Sequence, residues 1–273
     1  MGWLEAIVLG IVQGLTEYLP ISSSAHVSIV GQLFFGGDDP GAAFTAITQL
    51  GTLAAVIVYF ARDIGRIISR WFLSIIGKVP RADPDARLGW LVIIGSVPIV
   101  VAGLLFQKAI ETSLRNLWVT VAMLAVFGVV LLLADLVSKR KYDLEQLTWL
   151  DGIALGFAQM LALVPGVSRS GATIAAGLFL GYKREAATRY AFLLSIPAVL
   201  GSGLYSLKDV ASDPKLAIGP TAVATVLAFA IGLGVIHWLL KYVSSHSFKV
   251  FVWYRLALAA VVAVLILTGV LVA

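Results

Sequence analysis

The sequence predicts an all-α, polytopic integral membrane protein built as an inverted-topology repeat, with six transmembrane helices and two re-entrant helix–loop–helix pairs. Three observations carry this expectation. Of 273 residues, 60% are hydrophobic and only 13% are charged, where a typical soluble domain has about 25% charged residues. The apolar residues form continuous runs, not the short alternating segments of a β-barrel. The pattern of the first half also recurs in the second. This composition excludes a disordered chain, a collagen, a coiled coil and a soluble enzyme with a polar shell.

The elements follow from length. A spanning helix needs ~20 mostly apolar residues to cross a hydrocarbon core of ~30 Å. The first apolar stretch, 3–19, meets Pro20 and a serine cluster and resumes over 27–35. Spans are expected at 42–62, 87–107 and 116–136. A second broken stretch, 148–164, meets Pro165 and Gly166 and another serine cluster, then resumes over 172–182. Three further spans are expected at 186–208, 218–242 and 250–272. The returning arms reach only ~14–17 Å as helices, too short to cross. Each broken stretch therefore reads as a re-entrant pair, whose irregular backbone must be buried in protein or line a wet cavity.

The repeat has a constant offset: Gly10 pairs with Gly156, Gln13 with Gln159, Leu15 with Leu161, Ser22 with Ser168, Ser24 with Ser170 and Tyr59 with Tyr205. Arg62 and Asp63 likewise match Lys208 and Asp209. Each half holds a broken pair and three spans, and an odd number of spans turns the second half upside down. Residues 1–273 then form one membrane domain of two inverted repeats, about 1–136 and 147–273. Lys and Arg divide 15 to 4 between the two sides, with Arg169 left inside the second broken pair and Arg255 counted on the basic side. The positive-inside rule makes the basic side cytoplasmic. Both termini and the 37–41 turn then lie outside, and loops 63–86 and 137–147 inside. The net charge of +5 reads as topology, and no nucleic-acid partner is expected. There are no cysteines, hence no disulfide and no thiol nucleophile. MGWLEAIV carries no basic n-region, so no removable signal is expected.

Ionisable groups at membrane depth are costly and face a cavity or a partner. Glu17, His26 and Arg169 stand out, each in a broken pair. Gln13 and Glu17 are four apart and share a helical face, offering oxygen ligands to a hard cation such as Mg²⁺ or Ca²⁺. The segment PISSSAH supplies Ser22, Ser23, Ser24 and His26 next to a helix N-terminus, which suits an anion; the serines also serve as helix caps. PGVSRSGAT sets Arg169 between Ser168 and Ser170, with Thr173 following, before a helix expected to start near Ala172. A guanidinium fork matches phosphate oxygens. It can equally pair with Glu17, and one network can do both, with Arg169 on Glu17 in the empty site and on phosphate in the filled one. Apolar walls around such a site point to a lipid phosphate or pyrophosphate.

At these residues the sequence resembles the undecaprenyl-pyrophosphate phosphatase family, also called the bacitracin-resistance proteins. The resemblance rests on QGLTEYLPISSSAH (13–26) and PGVSRSGAT (165–173), with FTAITQLGTLAAV (44–56) as a weaker third block, and covers essentially the whole chain. Ala25 stands where the family usually has Gly. The resemblance implies a divalent cation and dephosphorylation of the C55 isoprenyl pyrophosphate to the monophosphate. That reaction recycles the lipid carrier of cell-wall synthesis at the outer face of the bacterial inner membrane. Glu17, Ser23, His26 and Arg169 would be catalytic, Ser22, Ser24, Ser168, Ser170 and Thr173 would join Arg169 in holding phosphate, and Glu17 with Gln13 would hold the metal. The nucleophile stays open between Ser23, His26 and water. The type-2 phosphatidic acid phosphatases share SRS-like and Ser-Gly-His-like segments, but they need a His soon after the Arg, and here the next is His237. A transporter or flippase of the lipid monophosphate is the alternative function, because broken helices in inverted repeats also build transporters. A homodimer is compatible with the sequence.

Overall fold

The computed structural model describes residues 1–36, 41–80, 82–207 and 217–272. Every regular element among them is helical, apart from one isolated bridge between Tyr142 and Tyr182. The expected turn at 37–41 and the repeat partners Lys208 and Asp209 lie wholly or partly outside the described residues.

The first broken stretch forms α1 (Trp3–Thr16) and α2 (Ser23–Phe34), followed by α3 (Ala42–Tyr59). A helix then appears where the sequence suggested a loop: α4 (Ala61–Ile75), bent 79° from α3. Its periodicity explains it. Ile64, Ile67, Ile68, Trp71, Phe72 and Ile75 recur at helical spacing between Arg62, Arg66 and Arg70, a pattern too charged for a hydropathy window to flag. Next come α5 (Pro84–Leu105), the short α6 (Gln107–Glu111) and α7 (Leu117–Val137). The second broken stretch forms α8 (Trp149–Met160) and α9 (Arg169–Phe179). The chain closes with α10 (Arg184–Ser206), α11 (Ile218–Val243) and α12 (Lys249–Leu267). Among the described residues, five helices are long and apolar enough to cross a membrane, and a sixth crossing follows if the bent pair α3 and α4 counts as one span.

Both returning helices begin about one turn earlier than their apolar residues suggest, at Ser23 and Arg169 instead of Val27 and Ala172. Polar side chains are at home in a first helical turn, where four N–H groups lack intrahelical partners. Ala25 therefore lies inside α2, where a methyl group is welcome, and it packs with Ile29, Leu117 and Leu124. At twelve and eleven residues the returning helices still reach only ~17–18 Å.

The two halves interlock. Helix α1 packs on α11, and α8 packs on α5. Glycine makes both contacts possible: a Cβ at Gly10 would lie 2.6 Å from the Ala224 backbone, and one at Gly156 would lie 2.4 Å from the Gly95 carbonyl oxygen. Helix α10 is the most buried of the candidate spans and packs on α3, α5 and α9. Large apolar side chains such as Leu104, Leu133, Trp253 and Val264 stay exposed, as a lipid-facing surface requires. The chain is thus a multi-pass membrane protein.

Candidate active site

The site forms where α1 and α8 give out. Helix α1 ends at Thr16, and Glu17 caps it, its N–H reaching the Gln13 carbonyl at 3.0 Å. The chain then turns through Pro20 and enters α2 from Ser22, whose φ is 73°. In the second half the chain turns through Pro165 and Gly166 and enters α9 from Ser168, whose φ is 72°. A positive φ at a non-glycine residue is uncommon and costs of order 1–3 kcal/mol. Here it occurs at two repeat-related serines at the entries of the two returning helices. The side chains repeat too: the Ser22 and Ser24 hydroxyls are 3.3 Å apart, and those of Ser168 and Ser170 are 3.1 Å apart.

Ser23 and Arg169 occupy equivalent positions, each first in its returning helix. Both converge on one carboxylate. Arg169 Nη2 donates to Glu17 Oε1 at 2.6 Å, and Ser23 Oγ donates to Glu17 Oε2 at 2.5 Å. Gln13 Nε2 donates to the same Oε2 at 2.7 Å, leaving its own Oε1 buried and unpaired. The Glu17 side chain is 6% exposed and the Arg169 side chain 17%, so the pair sits at the rim of a cavity rather than sealed in the core. That cavity holds about 400 Å³. Glu17, Ser22, Ser23, Ser24, Ser168 and Arg169 line one part of it, and Ile99, Val100, Leu104, Leu163 and Ala198 supply apolar wall. Gln49, Gln107, Arg115 and Tyr205 are among the further polar residues that line it.

The other expected site residues lie outside this cavity lining. His26 is buried with Nδ1 2.7 Å from the Ser22 carbonyl oxygen and Nε2 2.7 Å from the Tyr254 hydroxyl. A carbonyl oxygen can only accept, so Nδ1 carries a proton, and in the neutral imidazole Nε2 then accepts from Tyr254. Ser170 donates to the Leu19 carbonyl at 3.1 Å and ties the second turn to the first. The Thr173 hydroxyl is buried without a partner. Among the described residues, no three His, Cys, Asp or Glu side chains gather into a metal-binding group.

Sequence reasoning missed Arg255. It is completely buried, not a loop charge on the basic side of the membrane. A lone arginine in the apolar run 249–267 was the available signal; counting it toward topology hid it. The basic excess on that side survives its removal. Tyr254, the partner of His26, carried no signal, since tyrosines are common in such helices.

The family model described as bacitracin resistance protein BacA matches residues 6–261. The chain is similar to an undecaprenyl-diphosphatase of Renibacterium salmoninarum, 60% identical over 276 residues, covering 99% of this chain and 98% of the relative. It is 56% identical to undecaprenyl-diphosphatase 2 of Agrobacterium fabrum, over 99% of this chain and 98% of that one. It is 54% identical to undecaprenyl-diphosphatase 2 of Streptomyces coelicolor, over 99% and 97%. With matches of this extent along nearly the whole chain, the chain belongs to the bacitracin resistance protein BacA family.

Proposed function

We propose that this protein is an integral membrane phosphatase that converts undecaprenyl pyrophosphate to the monophosphate at the Glu17 and Arg169 site. The single observation that carries the reading is the convergence of Ser23 Oγ and Arg169 Nη2 on the two oxygens of Glu17, beside a cavity with an apolar wall. The near-full-length relatives named undecaprenyl-diphosphatase support it. The transporter reading is not favoured, because those names describe hydrolysis.

In this mechanism the incoming pyrophosphate displaces Arg169 from Glu17, and the guanidinium fork takes phosphoryl oxygens instead. The freed carboxylate keeps the Ser23 proton within reach at 2.5 Å. Ser23 Oγ attacks the terminal phosphorus and its proton passes to Glu17. The P–O bond to the lipid monophosphate breaks, its electron pair leaves on that product's oxygen, and Glu17 passes the proton it took from Ser23 to that oxygen. Water then attacks the phosphoseryl group, gives up a proton to the regenerated carboxylate, and releases inorganic phosphate while Ser23 recovers its proton. Arg169 and the N–H groups opening α2 and α9 offset the negative charge of each transition state, usually the largest catalytic term. His26, held by Ser22 and Tyr254, shapes the first turn.

A divalent cation fits the donor set. Mg²⁺ is commonly held by one or two carboxylates together with substrate phosphates, and Glu17 with the unpaired Gln13 Oε1 would hold it here. When bound, it neutralises phosphoryl oxygens. Ca²⁺ wants six to eight oxygens and is the poorer match. The broken pairs are read as re-entrant, the halves as inverted repeats in one domain, and the site as opening to the outer face of the bacterial inner membrane. The interlocked packing of α1 on α11 and α8 on α5 and the charge bias support that layout. The test is phosphate release from an isoprenyl pyrophosphate by the detergent-solubilised protein. Hydrolysis needs no sealed membrane, whereas a flippase needs two sides; no release with Mg²⁺ present rejects the reading.

A further inference from the structure

Arg255, on α12, donates five hydrogen bonds, all to backbone carbonyl oxygens. Nη1 reaches Pro20 at 3.1 Å and Val167 at 3.2 Å. Nη2 reaches Gly166 at 2.8 Å and Met123 at 3.1 Å, and Nε reaches Leu124 at 3.1 Å. Pro20 and Gly166 are repeat-related, so one guanidinium holds the same carbonyl of both turns. The other two carbonyls belong to α7.

We propose that Arg255 is a positioning residue for the reaction: it locks the two positive-φ serine turns into one cradle, so that Ser23 and Arg169 meet the same phosphoryl group. In a trans peptide the N–H points opposite to the C=O. With the Val167 carbonyl turned onto Arg255, the N–H of Ser168 points away from the guanidinium, and Ser168 lines the cavity. Arg255 thus sets the direction of a donor without touching substrate. A fully buried guanidinium with all five N–H donors engaged is a planar fork that lysine cannot copy, since an ammonium places its donors on one atom. The proposal rests on the phosphatase reading of the same site.

The experiment measures kcat and KM for phosphate release from a C15 isoprenyl pyrophosphate, per folded molecule, with the folded fraction taken from thermal melts in detergent. The parent is assayed alongside. A parent that releases no phosphate rejects the phosphatase reading itself, whereas a loss confined to the variants concerns Arg255 alone. Arg255→Lys is expected to lose roughly 10²-fold in kcat per folded molecule, the scale of a 1 Å misplacement, with KM moving much less. Arg255→Ala is expected to regain turnover per folded molecule in millimolar guanidinium and not in equal ammonium. A purely structural Arg255 would change how much protein folds and leave turnover per folded molecule within threefold of the parent. That result overturns the proposal. So does guanidinium that raises only the folded fraction, and so does the absence of folded protein in both variants.

Discussion

Glu17 accepts three side-chain hydrogen bonds, from Arg169, Ser23 and Gln13, and each donor can be removed singly. Glu17→Gln should abolish phosphate release while the protein still folds and extracts normally. The Arg169 side chain borders the cavity and can find water there, so the 3–5 kcal/mol cost of orphaning a fully buried charge does not apply in full. Near-normal activity of this variant at low Mg²⁺ would contradict both the metal role and the base role. Arg169→Lys should lower kcat/KM by ~10²–10³, roughly 3–4 kcal/mol, the usual loss of a well-placed transition-state donor. If Arg169 served only as the structural partner of Glu17, the lysine variant would be nearly silent and Arg169→Met with Glu17→Met would restore stability lost in either single variant. The three groups that meet, Glu17, Ser23 and Arg169, were legible in the sequence because ionisable and hydroxyl residues beside breaks in apolar runs are rare. The separation of His26 from Glu17 was not. Whether a side chain three residues into a helix faces the cavity or α12 depends on how the two turns are clamped, and the clamp is Arg255, 235 positions from Pro20.

At the scale of elements, the broken helices were legible through their prolines and serine clusters, but their starts were not, because a capped first turn is polar and looks like loop to a hydropathy count. Close backbone contacts were equally invisible, since they need the partner helix. They make a direct prediction. Gly156→Val should lower the melting temperature sharply, because even a Cβ would lie 2.4 Å from the Gly95 carbonyl oxygen; Gly65→Ala, inside α4 with nothing within 4 Å, should leave it unchanged or raise it slightly in the same thermal melt. The link from α4 to α5 is held by Asp83, which caps α5 by accepting from the Ala86 N–H at 3.1 Å and pairs with Arg70. The Arg70 hydrogen bond holds the Asp83 carboxyl below its ordinary value, with the cap contributing in the same direction. A depressed carboxylate stabilises the fold above its unfolded pKa of about 3.9 and stops doing so as pH falls through the lower folded value. Asp83→Ala should therefore lower the melting temperature at pH 7 and lose that effect at strongly acidic pH. An equal penalty at both would contradict the assignment.

At the scale of the whole molecule, the membrane class was legible from composition. The exchange of partners between halves, α1 on α11 and α8 on α5, was not, because nothing local encodes it. The orientation read from the basic excess is testable because the chain has no cysteine. A membrane-impermeant maleimide on intact cells should label Lys108→Cys and leave Lys78→Cys and Lys141→Cys unlabelled; the reverse pattern would invert the molecule. On the phosphatase reading, one active centre is assembled from the first half's Glu17 and Ser23 and the second half's Arg169. The most direct measurement is initial phosphate release from a C55 isoprenyl pyrophosphate in detergent with Mg²⁺, comparing the parent with Ser23→Ala and Arg169→Lys. Release by the parent, its loss with EDTA, and a fall of at least ~10² in each variant are expected, one variant from each half. Activity within threefold of the parent in either variant, a difference under roughly 0.7 kcal/mol, would contradict it.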